Sequence, residues 1–174
     1  MAAEKQGKFW EYHDKLFANQ QALDRPSLEK YAQELGLNVA KFKKDMDDPA
    51  TAKRIDEESA LAGKLGARGT PAWFINGRYM RGAAPFEKFK TNIDAEIARA
   101  NEQLKKGTPL GKVYDELTKA GLTEVKAAPP GADQAAARPG QPDPGARYKV
   151  DITGAPFKGA KDAKVTIAEI SDFQ

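Results

Sequence analysis

The stretch Gly69-Thr70-Pro71-Ala72-Trp73-Phe74-Ile75-Asn76-Gly77 decides the fold predicted for this 174-residue chain. Residues 72–75 form an apolar run with two aromatic side chains and a β-branched one, which is typical of a strand. Asn76-Gly77 is the strongest short signal for a tight hairpin turn, because both residues tolerate the positive φ that the turn requires. Residues 78–80 supply the returning strand. The stretch therefore predicts a β-hairpin.

Apolar residues recur at helical spacing on both sides of this hairpin. The predicted helices lie within residues 1–23, from Pro26 and Ser27 to Gly36, over 38–47, from Asp48 and Pro49 to about Gly66, over 85–104 and within 107–122. Asp48 with Pro49, and Thr108 with Pro109, are pairs of residue types that favour a helix N-terminus. The hairpin is therefore preceded by a helical block.

A change of composition follows the last of these helices. Residues 126–147 hold five prolines and three glycines and have no aromatic or β-branched side chain, so they cannot bury enough apolar surface to order themselves. We therefore predict a flexible linker over 123–147. Beyond it, residues 148–152 resemble a short strand and 165–170 a central strand.

Composition excludes several classes of function. The 28 basic and 25 acidic side chains are too balanced for a nucleic-acid binder. No apolar run is long enough to predict a membrane span, and the first five residues lack the apolar core of a signal peptide. With no cysteine and one histidine, the chain offers no disulfide, thiolate nucleophile or common metal site. We expect neither a metal nor a cofactor.

Two stretches together resemble the DsbA family of thiol–disulfide oxidoreductases. One is residues 69–77, and the other is Asp162-Ala163-Lys164-Val165-Thr166-Ile167-Ala168-Glu169-Ile170-Ser171-Asp172-Phe173-Gln174. In that family the first is a loop with a cis-proline followed by a hairpin, and the second is the strand that leads into the active-site Cys-x-x-Cys. The resemblance implies an α/β (α+β) thioredoxin-like fold with a helical insertion. The cysteine pair would follow Gln174.

The two stretches stand in the opposite order to that of the family. Residues 1–106 resemble the C-terminal part of a DsbA-like domain, and 148–174 resemble the N-terminal strands of a following one. With a helix over 107–122 and the linker over 123–147, this order predicts a piece that spans the junction of two tandem domains. A native circular permutant is the alternative, although a permutant would be expected to keep its cysteines.

The resemblance implies a permuted thioredoxin-like fold with a small mixed sheet, lacking the first active-site helix and the strand after it. We predict that Val165–Ser171 lies antiparallel to and beside Ala72–Ile75. Arg78–Gly82 should lie on the other side of Ala72–Ile75. An unpaired outer edge of Val165–Ser171 would be a template for pairing. Pairing of the late strand with the hairpin of its own chain is favoured over a swap into a second chain, because closure within one chain has the lower entropic cost. We expect a homodimer in either case, formed by swapping this strand or by pairing two such edges.

The resemblance also implies the site residues. Gly69, Thr70 and Pro71 form the substrate-binding loop, in which a cis-proline places backbone groups where they can hydrogen-bond an extended peptide. Thr70 matches the position that faces the cysteine pair. Glu169 matches an acidic residue beneath that pair that assists proton transfer. A carboxylate is costly to bury unless it is used, and without thiols Glu169 is expected to be either a buried or an edge carboxylate. The chain itself has no catalytic residue.

Other candidate residues have simpler explanations. Packing accounts better than ligand binding for six aromatic side chains: Phe9, Trp10, Tyr12, Phe17, Trp73 and Phe74. His13 has no second ligand in the sequence and is expected to be exposed or locally bonded. Three arginines around the hairpin are expected to form a solvated rim rather than an acidic-peptide site: Arg68, Arg78 and Arg81.

Two functional hypotheses follow. The chain is part of a periplasmic or otherwise extracytoplasmic thiol–disulfide oxidoreductase of the oxidase or isomerase type, which binds extended cysteine-containing polypeptides but is redox-inactive as given. Alternatively, it is a cysteine-free peptide-binding or scaffold module that uses the thioredoxin fold without redox chemistry. The residues that follow Gln174 would distinguish the two. Whether the parent oxidises, isomerises or reduces its clients stays open.

Overall fold

The structure is a computed structural model, and it describes residues 1–125 and 140–173. These residues form the helices α1 (Phe9–Phe17), α2 (Arg25–Glu34), α3 (Val39–Met46), α4 (Pro49–Lys64), α5 (Phe86–Lys105) and α6 (Val113–Thr118). The strands are β1 (Ala72–Ile75), β2 (Arg78–Arg81) and β3 (Ile167–Ile170), and single 3-10 turns cover Glu4–Gln6 and Leu110–Lys112. The fold is therefore a mixed α/β fold, as predicted.

Side-chain caps fix the start of two helices in the helical block. Asp24 accepts a hydrogen bond from the backbone N–H of Ser27 at 3.1 Å, and Pro26 occupies the first turn of α2. Asn38 accepts one from the N–H of Lys41 at 2.9 Å at the start of α3. Each cap satisfies a donor that has no partner inside the helix. The predicted helix starts are confirmed to within two residues.

The chain divides into two compact units, of which the first comprises residues 1–59 with 155–158 and Phe173. Its apolar core is made by residues of α1, α2 and α3, including Tyr12, Leu16, Tyr31, Ala32 and Phe42. Tyr12 and Phe42 are in ring contact, with centroids 5.2 Å apart. Burial of such rings is the main stabilising term for a small helical unit.

The second unit comprises residues 60–154 and 159–172 and contains the sheet. The strand order is β2-β1-β3, and both pairings are antiparallel. Ala72 lies opposite Arg81 in β2 and opposite Ile170 in β3. The predicted arrangement, in which the late strand flanks the first strand of the hairpin, is confirmed.

Each face of this sheet has its own packing partner. Phe74 is fully buried and contacts the rings of Tyr79 at 5.4 Å and Tyr148 at 5.7 Å. On the other face, Trp73 packs edge-on against Phe89 of α5, with centroids 5.1 Å apart. Because successive strand residues point to opposite faces, β1 joins both layers. Packing is thus the role of both aromatic residues in β1.

Two predicted elements are shorter or absent. Residues 148–152 do not form a strand, since the N–H of Tyr148 donates to Gly77 and that of Lys149 donates to Leu122. With its backbone divided between two partners, the segment makes only isolated bridges, and the parallel one between Tyr148 and Leu122 lies outside the sheet. The sheet itself is entirely antiparallel, which corrects the mixed sheet that the family resemblance implied. The helix predicted over 107–122 is a 3-10 turn followed by the six-residue α6.

Both ends of the segment predicted as a linker make specific contacts. The N–H of Val125 donates to the carbonyl of Lys64 at 2.8 Å. Arg78 donates to the carbonyl of Gly145 at 2.9 Å, and the hydroxyl of Tyr148 accepts from the N–H of Asp143 at 2.8 Å. These contacts anchor residues 123–125 and 140–147. The central part of the predicted linker, 126–139, lies outside the described residues.

Candidate functional site

The loop between α4 and β1 holds the three residues predicted to bind substrate. Gly69 and Thr70 are exposed, and Pro71 is partly buried. The peptide bond between Thr70 and Pro71 is cis. The N–H of Gly82, which directly follows β2, donates to the carbonyl of Pro71 at 2.8 Å. The hairpin therefore holds one side of this loop.

A second contact joins the loop to the end of β3. The hydroxyl of Thr70 donates to Oδ2 of Asp172 at 2.9 Å, across 102 positions of sequence. The register of the sheet places Ile170 beside Ala72, so the chain leaving β3 passes the loop that enters β1. The structure thus brings together the two stretches on which the family resemblance rests. Asp172 was not singled out by the sequence, although it lies within the second stretch.

The backbone of the loop is available to a ligand. Among residues 1–125 and 140–173, none forms a hydrogen bond with the backbone N–H or C=O of Gly69 or Thr70. Backbone groups are strong donors and acceptors, and in an exposed loop they are satisfied by water or by a bound chain. The arrangement can therefore pair with an extended peptide.

Asn76 fixes the approach of the chain to β3. Its side chain is fully buried and bonds the segment before β3 twice, donating to Lys164 O at 3.1 Å and accepting from Thr166 N–H at 2.8 Å. Its own N–H donates to Thr166 O at 2.8 Å. The Asn-Gly signal predicted the turn but not this clamp, because the partners lie about 90 residues away.

Gly77 completes the turn at a point of close approach. Its φ is 82°, and a Cβ added there would lie 2.2 Å from the carbonyl oxygen of Tyr148. The N–H of Tyr148 donates to Gly77 O at 2.8 Å. Only glycine allows the two backbones to meet at this distance.

A buried ion pair ties α5 to the segment that follows 126–139. Arg147 makes a two-pronged contact with Glu96, at 2.9 Å and 3.2 Å, and also donates to the carbonyl of Asn76. Arg99 contacts Glu96 at 2.6 Å, and the Glu96 side chain is only 2% exposed. Glu96 lies seven positions after Phe89 and therefore on the same, packed face of α5. This spacing was the signal from which the burial of Glu96 could have been predicted. Arg147 was missed because its surroundings are rich in proline and glycine.

Glu169 lies on an outermost strand of the sheet, which is the second of the two positions expected for it. It is exposed, and in the register of the sheet it stands opposite Trp73. Since β3 is the last strand in the order β2-β1-β3, none of the described strands covers its outer side. Glu169 is therefore an edge carboxylate and carries no cost of burial.

The histidine and the aromatic residues of α1 form a ring cluster in the first unit. His13 Nδ1 lies 3.0 Å from Asp14 Oδ1, as expected for a locally bonded histidine. Its ring is 4.7 Å from that of Phe17 and 5.6 Å from that of Phe173. Tyr12 is buried as predicted, but Phe17 is 37% exposed and is not a core residue. The apolar periodicity of α1 does not show where the buried face of the helix ends, so it could not separate Phe17 from the core residues.

The three arginines near the hairpin differ in their contacts. Arg78 is partly buried and bonded to Gly145, whereas Arg68 and Arg81 are exposed. In the described ranges, no group of three His, Asp or Glu residues is arranged to hold a metal ion. Across the same ranges, the structure contains no helix long and apolar enough to cross a membrane. The sequence contains no cysteine.

Comparison with protein families gives one match. The profile of the DSBA-like thioredoxin domain matches residues 1–94, which is more than half of the chain. The match contains the helical block, the loop at 69–71 and the hairpin. No solved structure matches the chain.

Two kinds of relative match parts of the chain. The chain is 45% identical over 82 residues to the Na(+)/H(+) antiporter NhaA of Herminiimonas arsenicoxydans, which covers 47% of this chain and 13% of the antiporter. It is 35% identical over 99 residues to NhaA 3 of Salinispora tropica, covering 57% and 15%. It is 27% identical over 104 residues to the probable disulfide bond formation protein D of Bacillus anthracis, covering 54% and 46%. The chain thus spans less than half the length of each of these relatives.

Proposed function

The chain belongs to the DSBA-like thioredoxin domain family, and from this premise we propose that it is the peptide-binding part of a thiol–disulfide oxidoreductase and is redox-inactive by itself. One observation carries the proposal. The exposed loop at 69–71 is joined to the end of β3 by the Thr70–Asp172 hydrogen bond, so both family-like stretches meet at one place. Similarity to a disulfide bond formation protein supports the same assignment.

The proposed ligand is an extended, cysteine-containing polypeptide. Its backbone would pair with the exposed backbone of Gly69 and Thr70, as in other cases where an extended chain is recognised through main-chain hydrogen bonds. The proposed location of the parent protein is extracytoplasmic, where disulfides persist.

The proposed redox inactivity follows from the chemistry of exchange. A disulfide is exchanged when a thiolate attacks one of its sulfurs, and the sulfur of this chain is confined to its three methionines. Glu169 could assist proton transfer only beside a thiol that another segment supplied. We therefore assign binding, and no turnover, to this chain.

A cysteine-free binding or scaffold module is the second candidate. Its support is the 45% identity to an antiporter of which the shared segment makes up 13%. A thioredoxin-fold domain attached to a longer protein of another activity fits this pattern. A Cys-x-x-Cys encoded directly after Gln174 in the parent reading frame would favour the oxidoreductase, and a natural stop there would favour the module.

We also propose the organisation predicted from the order of the two stretches. Residues 1–106 and 148–174 would come from successive DsbA-like domains, and the pairing of β3 with β1 is consistent with one completing the other. In a homodimer, β3 would pair with β1 of a second copy or two β3 edges would meet. Light scattering at high micromolar concentration tests this, because a strict monomer would rule out both forms.

The binding proposal is tested with the purified chain and an alkylated, unstructured peptide that carries a fluorescent label. We expect saturable binding by anisotropy, weakened at least about fivefold by Pro71→Ala and unchanged by Lys53→Gln, a matched exposed substitution on α4. In an insulin-reduction assay, the chain should show only the background rate, whereas an active oxidoreductase assayed in parallel should reduce insulin. Turnover above background would refute the inactivity, and absence of peptide binding would refute the binding assignment.

A further inference from the structure

The Thr70–Asp172 contact carries an inference about how the loop recognises its peptide. We propose that Asp172 is a positioning residue that holds the Thr70 hydroxyl as a hydrogen-bond acceptor for a backbone N–H of the bound peptide. The inference rests on the proposed peptide binding at residues 69–71. It adds a side-chain acceptor to the main-chain groups of that loop.

The direction of the hydrogen bond follows from the two groups. A hydroxyl has one donor and two acceptor lone pairs, whereas an ionised carboxylate has acceptors only. In the 2.9 Å contact between Thr70 Oγ1 and Asp172 Oδ2, the hydrogen must therefore come from Thr70. Thr70 is exposed, so its hydroxyl oxygen has lone pairs left for a ligand. With its hydrogen committed, that oxygen selects a ligand that donates.

The carboxylate also strengthens this acceptor. A hydrogen bond to an ionised group is stronger than one between neutral groups, and it polarises the donor so that the donor's own oxygen accepts better. An extended peptide that pairs with the backbone of Gly69 and Thr70 carries its N–H groups along the same edge. The hydroxyl of Thr70 is thus matched to the most abundant donor of such a ligand.

Asp172 is well placed to act in this way because the sheet, and not the loop, fixes its position. It lies two residues after the end of β3, where Ile170 stands opposite Ala72. At the opposite end of β3, the residues that precede it, Lys164 and Thr166, are hydrogen-bonded to the side chain of Asn76. Asp172 therefore acts on the peptide through Thr70.

The test uses amide-to-ester peptides, in which a single backbone N–H is replaced by oxygen. An ester at a position whose N–H pairs with the carbonyl of Gly69 or Thr70 should bind more weakly in every variant. For the unaltered chain, we expect one further position of the labelled peptide at which the ester binds about five- to tenfold more weakly than the amide. In Asp172→Ala and in Thr70→Val, the amide and the ester at that position should bind equally. Asp172→Asn and Thr70→Ser keep an acceptor and a hydroxyl, so both should restore most of the difference.

Each outcome has a distinct meaning. If every ester loss found in the unaltered chain keeps its full size in Asp172→Ala, or if the unaltered chain shows no ester loss at any position, the proposal is overturned while the binding function stands. If no peptide binds at all, the binding function itself fails. A general loss of structure cannot mimic the expected result. A smaller folded fraction would weaken amide and ester by the same factor and leave the ratio of their affinities unchanged. Thr70 is exposed, so Thr70→Val remains available if Asp172→Ala does not fold.

Discussion

Removal of Arg147 should destabilise the second unit strongly. Arg147 makes the two-pronged contact with Glu96 and donates to the carbonyl of Asn76. Arg147→Ala would leave a carboxylate that is 2% exposed with one remaining partner, Arg99, whose side chain is 43% exposed. Breaking a fully buried pair costs about 3–5 kcal/mol. Because Arg147 is itself 18% exposed and Arg99 remains, we expect a loss of roughly 2–4 kcal/mol in the free energy of unfolding.

Urea unfolding followed by tryptophan fluorescence measures this loss. In a Trp10→Phe background, the signal comes from Trp73 in the second unit alone. Lys53→Ala is the control, since its side chain is 77% exposed and its ion pair with Glu57 should contribute no more than about 1 kcal/mol.

A double substitution separates a broken charge pair from a loss of packing. Glu96→Leu with Arg147→Leu removes both charges, and replacement of a buried pair by apolar residues is often close to neutral. We expect the double variant to be more stable than Arg147→Ala by at least about 1 kcal/mol. A loss below about 0.5 kcal/mol in Arg147→Ala would refute the assignment of a structural ion pair.

Three further changes test the turn and the packing around it. Gly77→Ala should cost at least about 2 kcal/mol, because its Cβ would lie 2.2 Å from Tyr148 O at a φ of 82°; an unchanged urea midpoint would contradict this. Asn76→Ala removes two side-chain hydrogen bonds to the approach of β3 and should cost about 2–4 kcal/mol, with faster amide exchange in β3. Burial raises the pKa of Tyr114, whose hydroxyl donates to Val150, from 10.0 to about 12. Its neutral form is favoured in the folded state, so its stabilising contribution is complete below pH 10 and is lost as the pH rises through about 12; Tyr114→Phe should reduce that alkaline loss in pH-dependent unfolding.

The starts of helices could be predicted from the sequence, whereas the hydrogen-bond partners of distant segments could not. The starts of α2 and α3 were predictable because Asp24 and Asn38 cap them through neighbours three positions along. The strand expected at 148–152 was not formed, because its backbone bonds go to Gly77 and Leu122 rather than to one strand. Local propensity favours an extended segment but does not choose its partner.

By itself, the sequence determined the helical block, the hairpin at 72–81 and the relation to a known family, because these depend on periodicity, caps and turn residues that act over a few positions. Only the tertiary structure decided that Thr70 meets Asp172, 102 positions away, and that Glu96 meets Arg147, 51 positions away. It also decided that Glu169 is exposed, since burial depends on which strand lies beside it. The physical reason is that a side chain's environment is set by the pairing of distant segments, which no local pattern encodes.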